Sequence, residues 1–149
     1  MCGIVGAVGH EQCSEVLLDA LKRLEYRGYD SSGIVTINEG AIALKRAVGK
    51  LVNLDKALRA SPLMGDVGIG HTRWATHGGV STENAHPHVA AGRVAIVHNG
   101  IIENHRTIRS RLEAVGYKFS SDTDSEVLAH LFVEALDAGL DPAAATRQV

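Results

Sequence analysis

The alternation of short apolar runs with stretches of helical spacing constrains this chain more than any other feature. Gly3–Val8, Ile34–Ile37, Ala41–Leu44, Val67–His71 and Val94–Val97 read as short buried strands, with Asn38-Glu39-Gly40 suited to a hairpin loop. Val16, Leu17, Leu21 and Leu24 follow helical spacing from an N-cap at Ser14 to a stop at Gly28. Leu51, Leu54 and Leu58 predict a second helix, ended by Ser61-Pro62. Ile108, Leu112 and Val115 mark one face of a third helix, closed by Gly116. Thr123-Asp124-Ser125-Glu126 fits a capping box opening a fourth helix through Val127, Leu128, Leu131 and Ala135. Asp141-Pro142 starts a fifth that has barely begun at Val149. Strands separated by helices imply a layered α/β or α+β domain. Ending inside a helical pattern, without a closing turn or polar tail, the chain reads as a fragment of a longer one.

Composition narrows the function classes. Hydrophobic residues are 45% and charged residues 21% of 149, a globular balance. No apolar run approaches the roughly 18–20 residues of a membrane span. No basic segment precedes the apolar N-terminus as in a secretory signal. A net charge of −2 without a long basic run argues against nucleic acid as partner. Cys2 and Cys13 are too few for a disulfide framework, which points to a reducing cytoplasm. Six of the eight histidines, however, fall between His71 and His105.

Several residues are candidates for chemistry. Cys2 is either a small buried hydrophobe or, once Met1 is removed, an N-terminal nucleophile with its own base. A free α-amine has a reference pKa near ~7.7–8.0, so it can accept the thiol proton at neutral pH. Cys13 reads as structural. Gly3, Gly6 and Gly9 are spaced G-x-x-G-x-x-G and follow no strand, so they do not make a dinucleotide loop. Arg73, directly after a strand, suits bidentate recognition of a carboxylate, or else an ion pair beside a core Trp74. The Asn99 amide and Gly100 N–H suit a two-donor oxyanion hole, or a plain Asn-Gly turn. Asp122 and Asp124 suit helix capping; alternatively Asp124 binds a substrate ammonium, so that with Arg73 it reads both ends of an α-amino acid. His71, His77, His86, His88 and His98 are weighed as metal ligands, but no zinc motif accompanies them and loop scaffolding is the preferred reading. Arg106–Arg111 reads as a solvated outer helix face.

Taken in order, Met1-Cys2-Gly3-Ile4-Val5-Gly6, Leu24–Gly33, His71–Gly78, Asn84–His88, Val97–Asn104 and Ser121–Asp124 resemble the class II glutamine amidotransferases. Within them, Tyr26-Arg27-Gly28-Tyr29 and His86-Pro87-His88 point to the branch of the glutamine–fructose-6-phosphate aminotransferases (isomerising), rather than the amidophosphoribosyltransferases or asparagine synthetases. The resemblance runs from Met1 to about Leu131. It implies an α+β N-terminal-nucleophile hydrolase fold: a four-layer αββα sandwich of stacked antiparallel sheets, C-terminally incomplete in residues 1–149. It implies L-glutamine as substrate and no cofactor or metal. The expected roles are Cys2 as nucleophile, Asn99 and Gly100 as oxyanion hole, Arg73, Thr76, His77 and Asp124 around the bound amino acid, and Trp74 in a gating loop. It further implies a cytoplasmic, homo-oligomeric full enzyme whose sugar-isomerase domains, absent here, bind fructose 6-phosphate. The alternatives are another class II amidotransferase or a fragment that binds an amino acid without hydrolysing it.

Overall fold

The computed structural model describes residues 2–9, 12–27 and 29–149, with only the backbone of residue 27. Removal of Met1 and the helix stop at Gly28 therefore concern positions outside the described residues.

Strand β1 (Gly3–Val8) leads into helix α1 (Cys13–Leu24), which tightens into a 3₁₀ turn over Glu25–Arg27. Strands β2 (Ser31–Asn38) and β3 (Ala41–Val48) form the expected hairpin, and helix α2 (Leu51–Ala60) follows. Strand β4 (Val67–Arg73) then inserts between β1 and β2, giving a four-stranded antiparallel sheet in the order β1-β4-β2-β3. Strands β5 (His88–Ala90) and β6 (Val94–Ile96) pair as a second antiparallel sheet, followed by α3 (His105–Ala114), α4 (Glu126–Asp137) and α5 (Pro142–Gln148).

The layers follow from the burial pattern. Leu17, Leu18 and Leu21 of α1 and Leu51, Leu54 and Leu58 of α2 pack with Ile34 on one face of the larger sheet. Ala129 and Val133 of α4 pack with Ala90 and with Val94 and Ile96 on the smaller one. Between them lies an apolar cavity of about 330 Å³, lined by Val35, Ile37 and Ile69 of the larger sheet and, opposite, by Val94 of β6 with Phe132 and Leu136 of α4. The order is helix, sheet, sheet, helix, an α+β arrangement.

Local expectations fail where a side chain finds a stronger partner than the expected cap. Ser14 lies inside α1, whose N-cap is Gln12, and its hydroxyl donates to the Leu63 carbonyl at 2.8 Å. The capping box does not form. Glu126 is the first residue of α4, and its carboxylate reaches back to the N–H and hydroxyl groups of Ser120 and Ser121, while Thr123 Oγ1 meets His88 Nε2 at 2.9 Å. Val16 and Val115 point to solvent rather than to the core. The basic face of α3 is only partly solvated: Arg109 lies over the Phe119 ring and donates to the Ser121 carbonyl, and Arg111 clasps Glu134 with two hydrogen bonds. Asp141 caps α5 as expected, accepting from the Ala144 N–H at 2.8 Å.

Candidate active site

Four segments distant in sequence meet at the C-terminal end of β4. The β1–β4 register sets Gly3 opposite Thr72, so Cys2 arrives beside Arg73 and Trp74. The Trp74 N–H donates to Cys2 Sγ at 3.1 Å, and the thiol lies within 3.6 Å of the Trp74 carbonyl. Beyond β6 the chain turns irregular and delivers Asn99 and Gly100, and the residues just before α4 deliver Asp124.

These segments enclose a cavity of about 380 Å³. Cys2, Arg73, Trp74, Thr76, His77, Asn99, Gly100 and Asp124, the residues to which the family resemblance gives a role, line it. His71, His86, His98, Ile101, Thr123 and Ser125 complete the wall without having been assigned a part in catalysis. Period-two alternation puts His71 and Arg73 on one face of β4, a signal available in the sequence. The other wall residues depend on contacts that spacing does not encode.

Arg73 is buried, and its guanidinium folds its own loop. It donates to the carbonyls of His77 at 2.5 Å, Gly78 at 3.1 Å and Gly79 at 3.1 Å. Asp30 braces the same loop, accepting from the Ala75 N–H and lying 3.6 Å from Arg73. Three hydrogen bonds leave Arg73 part of its five-donor fork for a ligand. Trp74, read as a core residue in one alternative, is instead 56% exposed at the rim.

Asp124 is buried at the opposite wall. Its Oδ2 accepts from the Ile102 N–H at 2.7 Å and stands 3.9 Å from His77 Nδ1, and its Oδ1 accepts from the Ser125 hydroxyl at 3.3 Å. It does not cap α4; a carboxylate with these partners keeps lone pairs for a cationic ligand. Glu126 secures this segment from beneath. Burial opposes its charge, but the His130 ring 3.7 Å away and hydrogen bonds from Ser121 and Ser120 outweigh it and hold the carboxyl below the usual range.

Three of the histidines, His71, His86 and His88, form a buried stack rather than a ligand sphere. The His71 and His86 rings lie 4.3 Å apart at 20°, and His88 follows 4.4 Å beyond His86. Among the described residues no three His, Cys, Asp or Glu side chains converge on a metal position. Burial lowers His71 and His88 to about 4, and burial together with the neighbouring His71 and His88 pushes His86 lower still. All three rings are neutral at pH 7. The stack can approach the sheet because Gly33 has no side chain: a Cβ there would sit 2.3 Å from the His86 carbonyl oxygen.

With cysteine thiol, amide donors, a guanidinium and a carboxylate on one wall-to-wall span, the cavity can hold an α-amino acid by both charged ends and present its side chain to sulfur. A family model described as a glutamine amidotransferase domain matches residues 59–143. The chain is 59% identical over 148 residues to the glutamine–fructose-6-phosphate aminotransferase (isomerising) of Mesorhizobium japonicum, covering 99% of this chain and 24% of the relative. It is 55% identical over 149 residues to the protein of the same name from Zymomonas mobilis, covering 100% of this chain and again 24% of the relative. The chain thus spans about a quarter of the length of the curated relatives it matches. Among solved structures, it is similar to the glutamine phosphoribosylpyrophosphate amidotransferase from B. subtilis, with 28% identity and a TM-score of 0.74 over 89% of this chain and 29% of that one. A structure described as the allosteric regulatory enzyme of purine biosynthesis gives 30% identity and a TM-score of 0.76 over 89% of this chain and 29% of that one. The fold is therefore that of the N-terminal-nucleophile amidotransferases.

Proposed function

The chain belongs to the glutamine amidotransferase domain family, and from that premise we propose that it hydrolyses glutamine at Cys2. With Met1 released, the α-amine of Cys2 takes the thiol proton and the sulfur attacks the side-chain carboxamide carbon of glutamine. Arg73 and Asp124 hold the α-carboxylate and α-ammonium, with Thr76 and His77 beside them, and Trp74 in the loop that covers the ligand. The oxyanion of the tetrahedral intermediate is stabilised by the Asn99 amide and the Gly100 N–H. The carbon–nitrogen bond breaks, the proton held by the α-amine passes to the leaving nitrogen, and ammonia departs from a γ-glutamyl thioester. Water then adds to the thioester, giving glutamate and regenerating the thiol. The observation that carries this reading is the meeting of Cys2, Arg73, Asn99 and Asp124 in one cavity of about 380 Å³.

The longer protein would transfer the ammonia to fructose 6-phosphate, making glucosamine 6-phosphate through sugar-isomerase domains outside residues 1–149, and would work as a homo-oligomer. The 55–59% identity to proteins named for the fructose 6-phosphate reaction supports this branch over the phosphoribosyl one, where identity is 28–30%. We place the reaction in the cytoplasm; two free cysteines, Cys2 and Cys13, support a reducing setting. No helix among the described residues is long and apolar enough to cross a membrane.

Cys2→Ala tests the mechanism. In the intact protein it is expected to abolish ammonia release and thioester formation while leaving glutamine binding in place. Turnover surviving in Cys2→Ala, or Met1 retained on active protein in intact-mass analysis, would overturn it.

A further inference from the structure

The Asn99 carboxamide is useful as an oxyanion donor only in one of its two orientations, and it sits on irregular, exposed chain beyond β6. What fixes it lies in the sheet below. His71 is fully buried in β4, two residues before its C-terminal end, paired with Ile4 of β1 on one side and Gly33 of β2 on the other. Its Nε2 is 2.8 Å from Asn99 Oδ1, and Asn99 Nδ2 donates to the Cys2 carbonyl at 3.4 Å.

The proton positions follow from these two contacts. The Cys2 carbonyl oxygen can only accept, so the amide nitrogen faces it; the reverse orientation would set two acceptors against each other. The amide oxygen therefore faces His71, and it too can only accept, so Nε2 carries the ring proton. Burial lowers the ring to about 4, against favourable bonds to Asn99 and to the His98 backbone, so near neutrality it carries one proton, which the contact with the Asn99 oxygen places on Nε2. Nδ1 is buried and has no hydrogen-bond partner, as suits the unprotonated nitrogen of this tautomer. Stacking on His86 fixes the plane of the ring. We propose that His71 is a positioning residue: its Nε2–H grips the Asn99 carbonyl oxygen and keeps the Asn99 N–H₂ group turned toward the Cys2 side of the cavity. This role rests on the reading of Cys2 and Asn99 as the glutaminase centre.

A residue acting only through Asn99 cannot contribute more than Asn99 does. Losing one oxyanion donor typically costs about 10²–10³ in kcat. His71→Phe in the intact protein is therefore expected to lower kcat for glutamine hydrolysis by about 10–100-fold, with KM nearly unchanged. His71→Gln, which offers an amide N–H near the place of Nε2–H, is expected to restore most of the loss. In an Asn99→Ala background, His71→Phe is expected to cost almost nothing further. Ring-nitrogen NMR of isotopically labelled histidine needs no variant and is expected to show neutral His71 protonated at Nε2. Full additivity with Asn99→Ala, His71→Gln as impaired as His71→Phe, or a Nδ1–H tautomer would each overturn this role while glutamine hydrolysis by the unaltered protein stood. Absence of hydrolysis in the unaltered protein would overturn the glutaminase reading and this role with it.

Discussion

Asn99 and Gly100 show how unevenly a site is written in its residues. Their adjacency suggested a pair of donors, but Gly100 is also required by shape: a Cβ on it would lie 2.7 Å from His98 Nε2. That ring is itself held, with Nδ1 at 3.0 Å from the Ser125 hydroxyl beside Asp124. Gly100→Ala is therefore expected to push His98 aside and lower kcat, and Asn99→Ala to lower it by about 10²–10³, both measured as ammonia release with intact folding checked by circular dichroism. Cys2, Arg73, Asn99, Gly100 and Asp124 stood out by their chemistry and position, whereas Thr76 and His77 were expected around the ligand only from the family resemblance. Asp30, His71, Asn84 and Glu126 were not legible, because each works through a partner remote in sequence. Asn84, for example, ties the Gly79 carbonyl to the Asp122 N–H and so joins the Arg73 loop to the Asp124 segment.

At the scale of elements, strands of six to eight residues and leucine-spaced helices were readable, since their periodicity repeats enough to stand out. Strand β5 was not, because three residues carry no period and its pairing with β6 is what makes it a strand. Helix starts at Ser14 and Thr123 were misread for a related reason: a hydroxyl takes whichever acceptor tertiary structure brings closest. The histidine stack between β4 and β5 has an energetic consequence. His71 and His88 titrate near 4 when folded against 6.5 as the ordinary value, and His86 lower. Below pH 6.5 the unfolded chain thus binds more protons than the folded one, and stability must fall with falling pH. The stabilisation is complete above about pH 6.5 and drains away toward pH 4, at up to about 1.4 kcal/mol per pH unit for each ring. Urea unfolding of the intact protein is expected to show a midpoint dropping through that interval, and replacing His88 with Gln is expected to flatten the slope.

Over the whole molecule, the helix–sheet–sheet–helix order was anticipated from the family resemblance; strand and helix patterns alone left α/β and α+β open. Which strand pairs with which was not legible at all, because β4 enters between β1 and β2 through long-range contacts. Among the described residues the second sheet has β5 and β6 alone, and the facing sheet ends in the edges β1 and β3. If residues 1–149 are part of a larger domain, as the family resemblance implies, the 149-residue chain alone should be poorly stable, with apolar surface between the sheets open to water. Binding of a hydrophobic dye and a broad, low-temperature transition in calorimetry are the expected outcomes; a sharp transition at high temperature would count against it. Arg73 carries a different lesson for anyone altering selectivity. Its donors hold the carbonyls of residues 77–79, so the charge that would select the ligand also draws the outline of the opening. Exchanging it to admit another amino acid changes lock and keyhole in one stroke. A redesign has to give the loop a second support first, and the Asp30 carboxylate, already fastened to the Ala75 N–H, is the place to begin.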